Sequence, residues 1–99
     1  MRLSPQQIHL IKQTINRILA APTEIWLFGS RVDNQQRGGD IDLFIETASI
    51  LANRAETICQ LYANLLIALG DCKIDILLKD QNTPPAAIFE IAKRTGILL

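Results

Sequence analysis

The distribution of apolar residues predicts an α+β fold, an α/β two-layer arrangement in which a small mixed β-sheet is covered by helices in the order α-β-loop-β-α-β-α. Three observations predict it. Apolar residues recur at helical spacing in three stretches. Between them lie three short runs that alternate or concentrate β-branched and aromatic residues, and a glycine-rich segment separates the first two of these runs. No internal repeat or linker interrupts the order, so residues 1–99 are read as a single domain.

The first helix opens at Ser4-Pro5-Gln6-Gln7, where Ser4 caps, Pro5 occupies the first turn and Gln7 completes a capping box. Ile8, Ile11, Ile15, Ile18 and Leu19 form its apolar stripe, and Pro22 ends it. Glu24 to Phe28 reads as a strand stopped by Gly29, and residues 29–39, with three glycines, read as loop. Asp40 to Glu46 alternates, with Ile41, Leu43 and Ile45 on a buried face and Asp40, Asp42, Phe44 and Glu46 on the other. Ala48 to Leu69 fits a long helix closed by Gly70. Lys73 to Lys79 alternates again, and Thr83-Pro84 opens a last helix closed by Gly96. Ile97 to Leu99 is either a terminal strand or a disordered apolar tail.

Composition bounds the function without naming it. The chain has 10 Lys plus Arg against 10 Asp plus Glu, for a formal net charge of zero, which argues against a protein that coats nucleic acid. The longest apolar run, Leu65 to Leu69, is far below the roughly 18 residues of a membrane span. The N-terminus turns polar at Ser4, so no signal peptide and a cytoplasmic location are expected. Cys59 and Cys72 make no disulfide framework or metal-ligand spacing and are expected to be small buried hydrophobes.

Three carboxylates stand where a strand does not need them. Asp40 and Asp42, two apart, project from the same strand face, and Asp75 interrupts an apolar strand between Ile74 and Ile76. If those strands are neighbours the three converge, and such a group resists ionisation unless a cation sits among them. Oxygen-only ligands select a hard ion, Mg²⁺ first and Mn²⁺ second. Directly after the first strand comes Phe28-Gly29-Ser30-Arg31. There a glycine turn, a hydroxyl and a guanidinium suit a phosphate. Each piece alone is also an ordinary turn or a solvated strand face. Together they point to metal-assisted transfer from a nucleoside triphosphate.

Gly29-Ser30, nine intervening residues and Asp40-Ile41-Asp42 resemble the signature of the polymerase-β-like nucleotidyltransferases, with Asp75 in the place of that family's third carboxylate. The short length, Trp26 to Arg31 and Gly39 to Leu43 resemble its minimal nucleotidyltransferase (MNT) branch. The resemblance implies the polymerase-β-like fold and a metal site on Asp40, Asp42 and Asp75, with Asp75 also accepting the proton of an attacking hydroxyl. It implies phosphate binding by Gly29, Ser30 and Arg31. Where minimal members often carry a second basic residue, this chain has Asp33, with Arg37 later in the loop. Stand-alone members are often antitoxins of a small helical HEPN ribonuclease toxin, which they neutralise by binding, by transferring AMP from ATP to a tyrosine, or both. With 99 residues and no acceptor domain expected, the acceptor site is assigned to a partner protein or a second copy. The rival readings are an inactive binding module of the same fold and a small-molecule nucleotidyltransferase.

The remaining polar and aromatic residues have ordinary expectations. His9 is read as a partly exposed surface residue, and Trp26 and Phe28 as core or interface aromatics. Tyr62 is read as packed, Arg54 and Glu56 as solvated helix charges, and Lys93 and Arg94 as cations favoured by a helix C-terminus. The wide apolar arc of the long helix and the tail Ile97-Leu98-Leu99 predict a homo- or hetero-oligomer.

Overall fold

The computed structural model describes residues 3–29, 41–70 and 72–99. Its elements are α1 (Pro5–Ile18), β1 (Thr23–Phe28), β2 (Ile41–Thr47), α2 (Arg54–Leu69), β3 (Ile74–Lys79), α3 (Ala87–Thr95) and β4 (Ile97–Leu98). They form the mixed α+β architecture that the sequence predicts. The sheet has the order β3-β2-β1-β4. β1 runs antiparallel to β2 and to β4, whereas β2 and β3 are parallel and joined through α2.

Local signals fix the ends of α1 and α2. Ser4 Oγ accepts the Gln7 N–H at 3.1 Å while Gln7 Oε1 accepts the Ser4 N–H at 2.9 Å, the reciprocal box read from the sequence. Gly70 closes α2 with φ +86°, its N–H bonded to the Leu66 carbonyl at 2.9 Å. The C-terminal tail is a strand: β4 pairs Leu27 with Ile97 and Trp26 with Leu98, and the Leu99 N–H donates to the Ile25 carbonyl at 2.8 Å.

Two helix starts differ from expectation, and one residue explains both. Asp80, buried at the end of β3, accepts the Leu51 N–H at 2.9 Å, the Asn82 N–H at 3.0 Å and the Thr83 hydroxyl at 2.7 Å. The bond to Leu51 ties down the segment before α2. That helix therefore begins at Arg54 and not at Ala48, capped by Asn53, whose side chain accepts the Glu56 N–H at 3.0 Å. The bond to Thr83 occupies the hydroxyl that would have capped a helix, so α3 begins at Ala87 without a side-chain cap.

The sheet buries both faces in its middle, and this corrects the one-sided reading of β2. Ile25, Leu27, Ile41, Leu43, Ile45, Ile74 and Leu78 pack with Ile11 and Ile15 of α1 and Leu61 and Leu65 of α2. On the opposite face Trp26 and Phe44 pack beneath Phe89 and Ala92 of α3. The ring centroids of Trp26 and Phe44 are 5.3 Å apart, as are those of Phe44 and Phe89. Phe44 alternates with the acidic residues of β2 and yet is fully buried.

Several surface expectations also change. Cys59 is exposed and Cys72 half-buried, so neither is a core residue. Tyr62 is 40% exposed and Ile67 82% exposed on the outer side of α2. Arg54 donates from Nη1 to the Leu78 carbonyl at 3.0 Å, crossing from α2 to β3, and so is more than a solvated charge. His9 is exposed, as expected. Among the described residues no helix is long and apolar enough to cross a membrane.

Asp80 yields a stability prediction. Its hydrogen bonds, first that from Leu51 and then that from Thr83, hold its carboxyl below the ordinary aspartate value of 3.8. Asp80→Ala leaves the Leu51 and Asn82 amides without their acceptor and is expected to lower unfolding free energy by about 2 kcal/mol at neutral pH. Because the folded group titrates lower than the unfolded one, the difference between wild type and variant holds above roughly pH 5. It shrinks as pH falls through and below the ordinary aspartate range. Urea midpoints measured against pH check both statements.

Candidate active site

The row pattern on the α3 side of the sheet builds the site. In β1, β2 and β3, residues two apart share a face, and the registers align them into rows across the strands. Phe28, Asp42 and Asp75 form the row at one end, Trp26, Phe44 and Leu77 the middle row, and Glu24, Glu46 and Lys79 the row at the other end. Helix α3 sits over the middle row, placing Phe89 and Ala92 on Trp26 and Phe44. Its Lys93 reaches toward the far end, where Nζ pairs with Glu46 at 2.9 Å and lies 5.2 Å from the Trp26 ring centroid. The hydrogen bond to Glu46, more than any other influence, raises the Lys93 pKa. Lys93 therefore has partners beyond the helix terminus that the sequence assigned to it.

At the first row, the parallel register sets Asp42 of β2 directly beside Asp75 of β3. Adjacent strands are about 4.8 Å apart, so two carboxylates of the same sign occupy one small patch. Asp42 is half-buried and Asp75 exposed. The neighbouring strand end adds the turn. Gly29 follows Phe28, the β1 partner of Asp42, and its φ of +77° is a conformation that L side chains rarely adopt. A Cβ added at Gly29 would overlap the Asp42 Oδ2 atom, so the Asp42 carboxyl lies against the bare backbone of the turn.

Of the residues expected to carry chemistry, Gly29, Asp42 and Asp75 come together at this end of the sheet. Asp40, Ser30 and Arg31 lie outside the described residues, as do Asp33 and Arg37. Among the described residues no group of three His, Cys, Asp or Glu forms a metal-binding set. The donors that are described fit a hard divalent ion: two carboxylates in register on adjacent strands, oxygen-only, beside Gly29. A concavity of about 520 Å³ lies at the opposite end, lined by Glu24, Glu46, Thr47 and Lys79 among others. It shares no residue with the Gly29–Asp42–Asp75 cluster.

Sequence reasoning passed over Asp80 and Lys73. Asp80 ends a strand beside a polar turn, and Asn82 and Thr83 two and three residues on were the signal of a side chain closing that turn. Lys73 shares the β3 face of Asp75 by alternation, a placement that needed the strand register to matter.

Gly29→Ala tests the turn. Holding alanine in the left-handed region costs roughly 1–2 kcal/mol. The new Cβ must in addition displace the Asp42 carboxyl. The variant is expected to fold with a lowered urea midpoint, by more than Gly→Ala at a site without the Asp42 contact would cost.

Comparison with known families places the chain. Residues 9–99 match the family described as Polymerase beta, Nucleotidyltransferase. No curated protein matches the chain. The match spans nearly the whole sequence, including both strands that carry Asp42 and Asp75 and the glycine turn between them and β1. This chain belongs to the polymerase beta nucleotidyltransferase family.

Proposed function

We propose that this protein is a divalent-metal-dependent nucleotidyltransferase that moves AMP from ATP to a hydroxyl of a partner protein, a tyrosine of a HEPN ribonuclease toxin, and so serves as its antitoxin. One observation carries the enzymatic part: Asp42 and Asp75 lie in register on parallel strands, against the Gly29 turn. Asp42 and Asp75 would hold the metal together with Asp40. Mg²⁺ bound there supplies positive charge that neutralises triphosphate oxygens. The Asp42 carboxyl lies against the Gly29 backbone, and Ser30 and Arg31, which follow in sequence, would contact phosphate. Asp75, exposed at the strand start, accepts the proton of the incoming hydroxyl. The hydroxyl oxygen bonds to the α-phosphorus, the bond from that phosphorus to the bridging oxygen breaks, and its electron pair leaves with pyrophosphate.

Helix α2 favours a second reading, in which partner binding alone neutralises. Ile67 and Tyr62 expose apolar surface on its outer side, and Ile50 just before it is 67% exposed. In that case the carboxylates are dispensable.

One experiment separates the readings. The protein is incubated with Mg²⁺, the product of its neighbouring gene, and ATP labelled at the α- or γ-phosphorus. Transfer predicts label on the partner from α-labelled ATP only, and a rate lowered by about two orders of magnitude or more in Asp42→Asn. No label on the partner, or wild-type labelling by Asp42→Asn, contradicts it. Full protection of cells by Asp42→Asn together with an unlabelled partner supports the binding reading.

A further inference from the structure

We propose that Lys73 is a nucleotide-binding residue of this same site, a cation that holds the β- and γ-phosphates of the nucleoside triphosphate and stays with pyrophosphate as it leaves. The inference rests on the nucleotidyltransferase reading and adds a residue that neither composition nor motif singled out.

The argument begins with the ladder. The Ile41 N–H donates to the Lys73 carbonyl at 2.9 Å, the ladder bond that sets Ile41 beside Ile74 at the start of β3. That bond fixes Lys73 beside the start of β2. Alternation places Lys73 on the same face as Asp75, two residues and about 6.6 Å along the strand, within the span of a lysine side chain. The residue is exposed, at the end of the sheet away from the Phe89–Trp26–Phe44 stack.

The other lysines described on this side of the sheet stand at its far end. Lys79 shares the same β3 face but stands in the far row beside Glu46, and its Nζ donates to the Asp80 carbonyl at 3.4 Å. Lys93 is paired with Glu46. Lys73 alone among these three lies at the Asp42–Asp75 end, where a triphosphate brought against two carboxylates adds negative charge to negative charge. An ammonium on a flexible stem suits that task, because it follows a phosphate that moves from bound substrate to departing product. In the transfer itself the bond between the α-phosphorus and the bridging oxygen breaks. The new negative charge on pyrophosphate then falls on the group that Lys73 contacts.

The test measures binding as well as turnover. Calorimetry with Mg²⁺ and α,β-methylene ATP is run on wild type, Lys73→Ala, Lys73→Gln and Lys73→Arg, with adenosine as a ligand that lacks phosphates. Loss of one charge-assisted contact is expected to weaken analogue binding roughly tenfold or more in Lys73→Ala and Lys73→Gln. Lys73→Arg is expected to restore most of it, and adenosine binding to stay unchanged. In turnover, KM for ATP rises more than kcat falls, and inhibition by added pyrophosphate weakens in parallel. Urea midpoints matching wild type show that the exposed substitution leaves the fold intact, and Lys73→Gln, which keeps the stem, serves if Lys73→Ala does not fold. Wild-type analogue affinity in Lys73→Gln while the wild-type protein binds and transfers overturns the role of Lys73 and leaves the nucleotidyltransferase reading standing. A wild-type protein that neither binds the analogue nor transfers label overturns both.

Discussion

The pairing of β2 with β3 is parallel and in register, and the backbone ladder therefore decides how close Asp42 and Asp75 come. Strand spacing holds their Cα atoms about 4.8 Å apart whatever their side chains prefer. The apolar residues of the strands that carry them hold this register: Ile41, Leu43, Ile45, Ile74 and Leu78 are buried against α1 and α2. A register slip of one residue would send Asp75 to the opposite face and dissolve the site.

Strand β2 connects this site to the rest of the molecule. It lies between β1 and β3, it is covered on one face by two helices and on the other by α3, and its central residue Phe44 is fully buried. The face that carries Asp42 is therefore divided by function. Its middle is an aromatic stack that anchors α3, its far row is a charged set led by the Lys93–Glu46 pair, and its near row holds Asp42 and Asp75. Asp80 performs the matching task at the opposite end of β3, where it binds the chain segments entering α2 and leaving β3. The two aspartates of β3 and its following turn thus have opposite environments, one exposed and one buried with its bonds made.

Much of this was legible in the residues because local physics and final structure agree. The capping box at Ser4, the stop at Gly70, the alternation of β3 and the turn at Gly29 each depend on neighbours in sequence, and each appears as read. The family resemblance rests on Gly29-Ser30, Asp40-Ile41-Asp42 and Asp75, and the match to the polymerase beta nucleotidyltransferase family over residues 9–99 agrees with it. The features that were not legible depend on distant partners. The starts of α2 and α3 shifted because Asp80 bonds Leu51 across the sheet end and takes the Thr83 hydroxyl. Phe44 was read on a polar face because nothing in β2 announces that Phe89, many residues later, will cover it. Arg54 looked like a surface charge until α2 brought it within reach of the Leu78 carbonyl.

The central claim is that Asp42 and Asp75 act as one ligand set because the ladder places them side by side. Its most direct test is Mn²⁺ binding in the presence of α,β-methylene ATP, followed by electron paramagnetic resonance, in wild type, Asp42→Asn, Asp75→Asn and the double variant. One shared site predicts that either substitution alone removes most of the bound signal and that the double variant is little worse than either single one. Binding losses that simply add, or a wild-type signal in Asp75→Asn, would show that the two carboxylates act independently and would contradict the account.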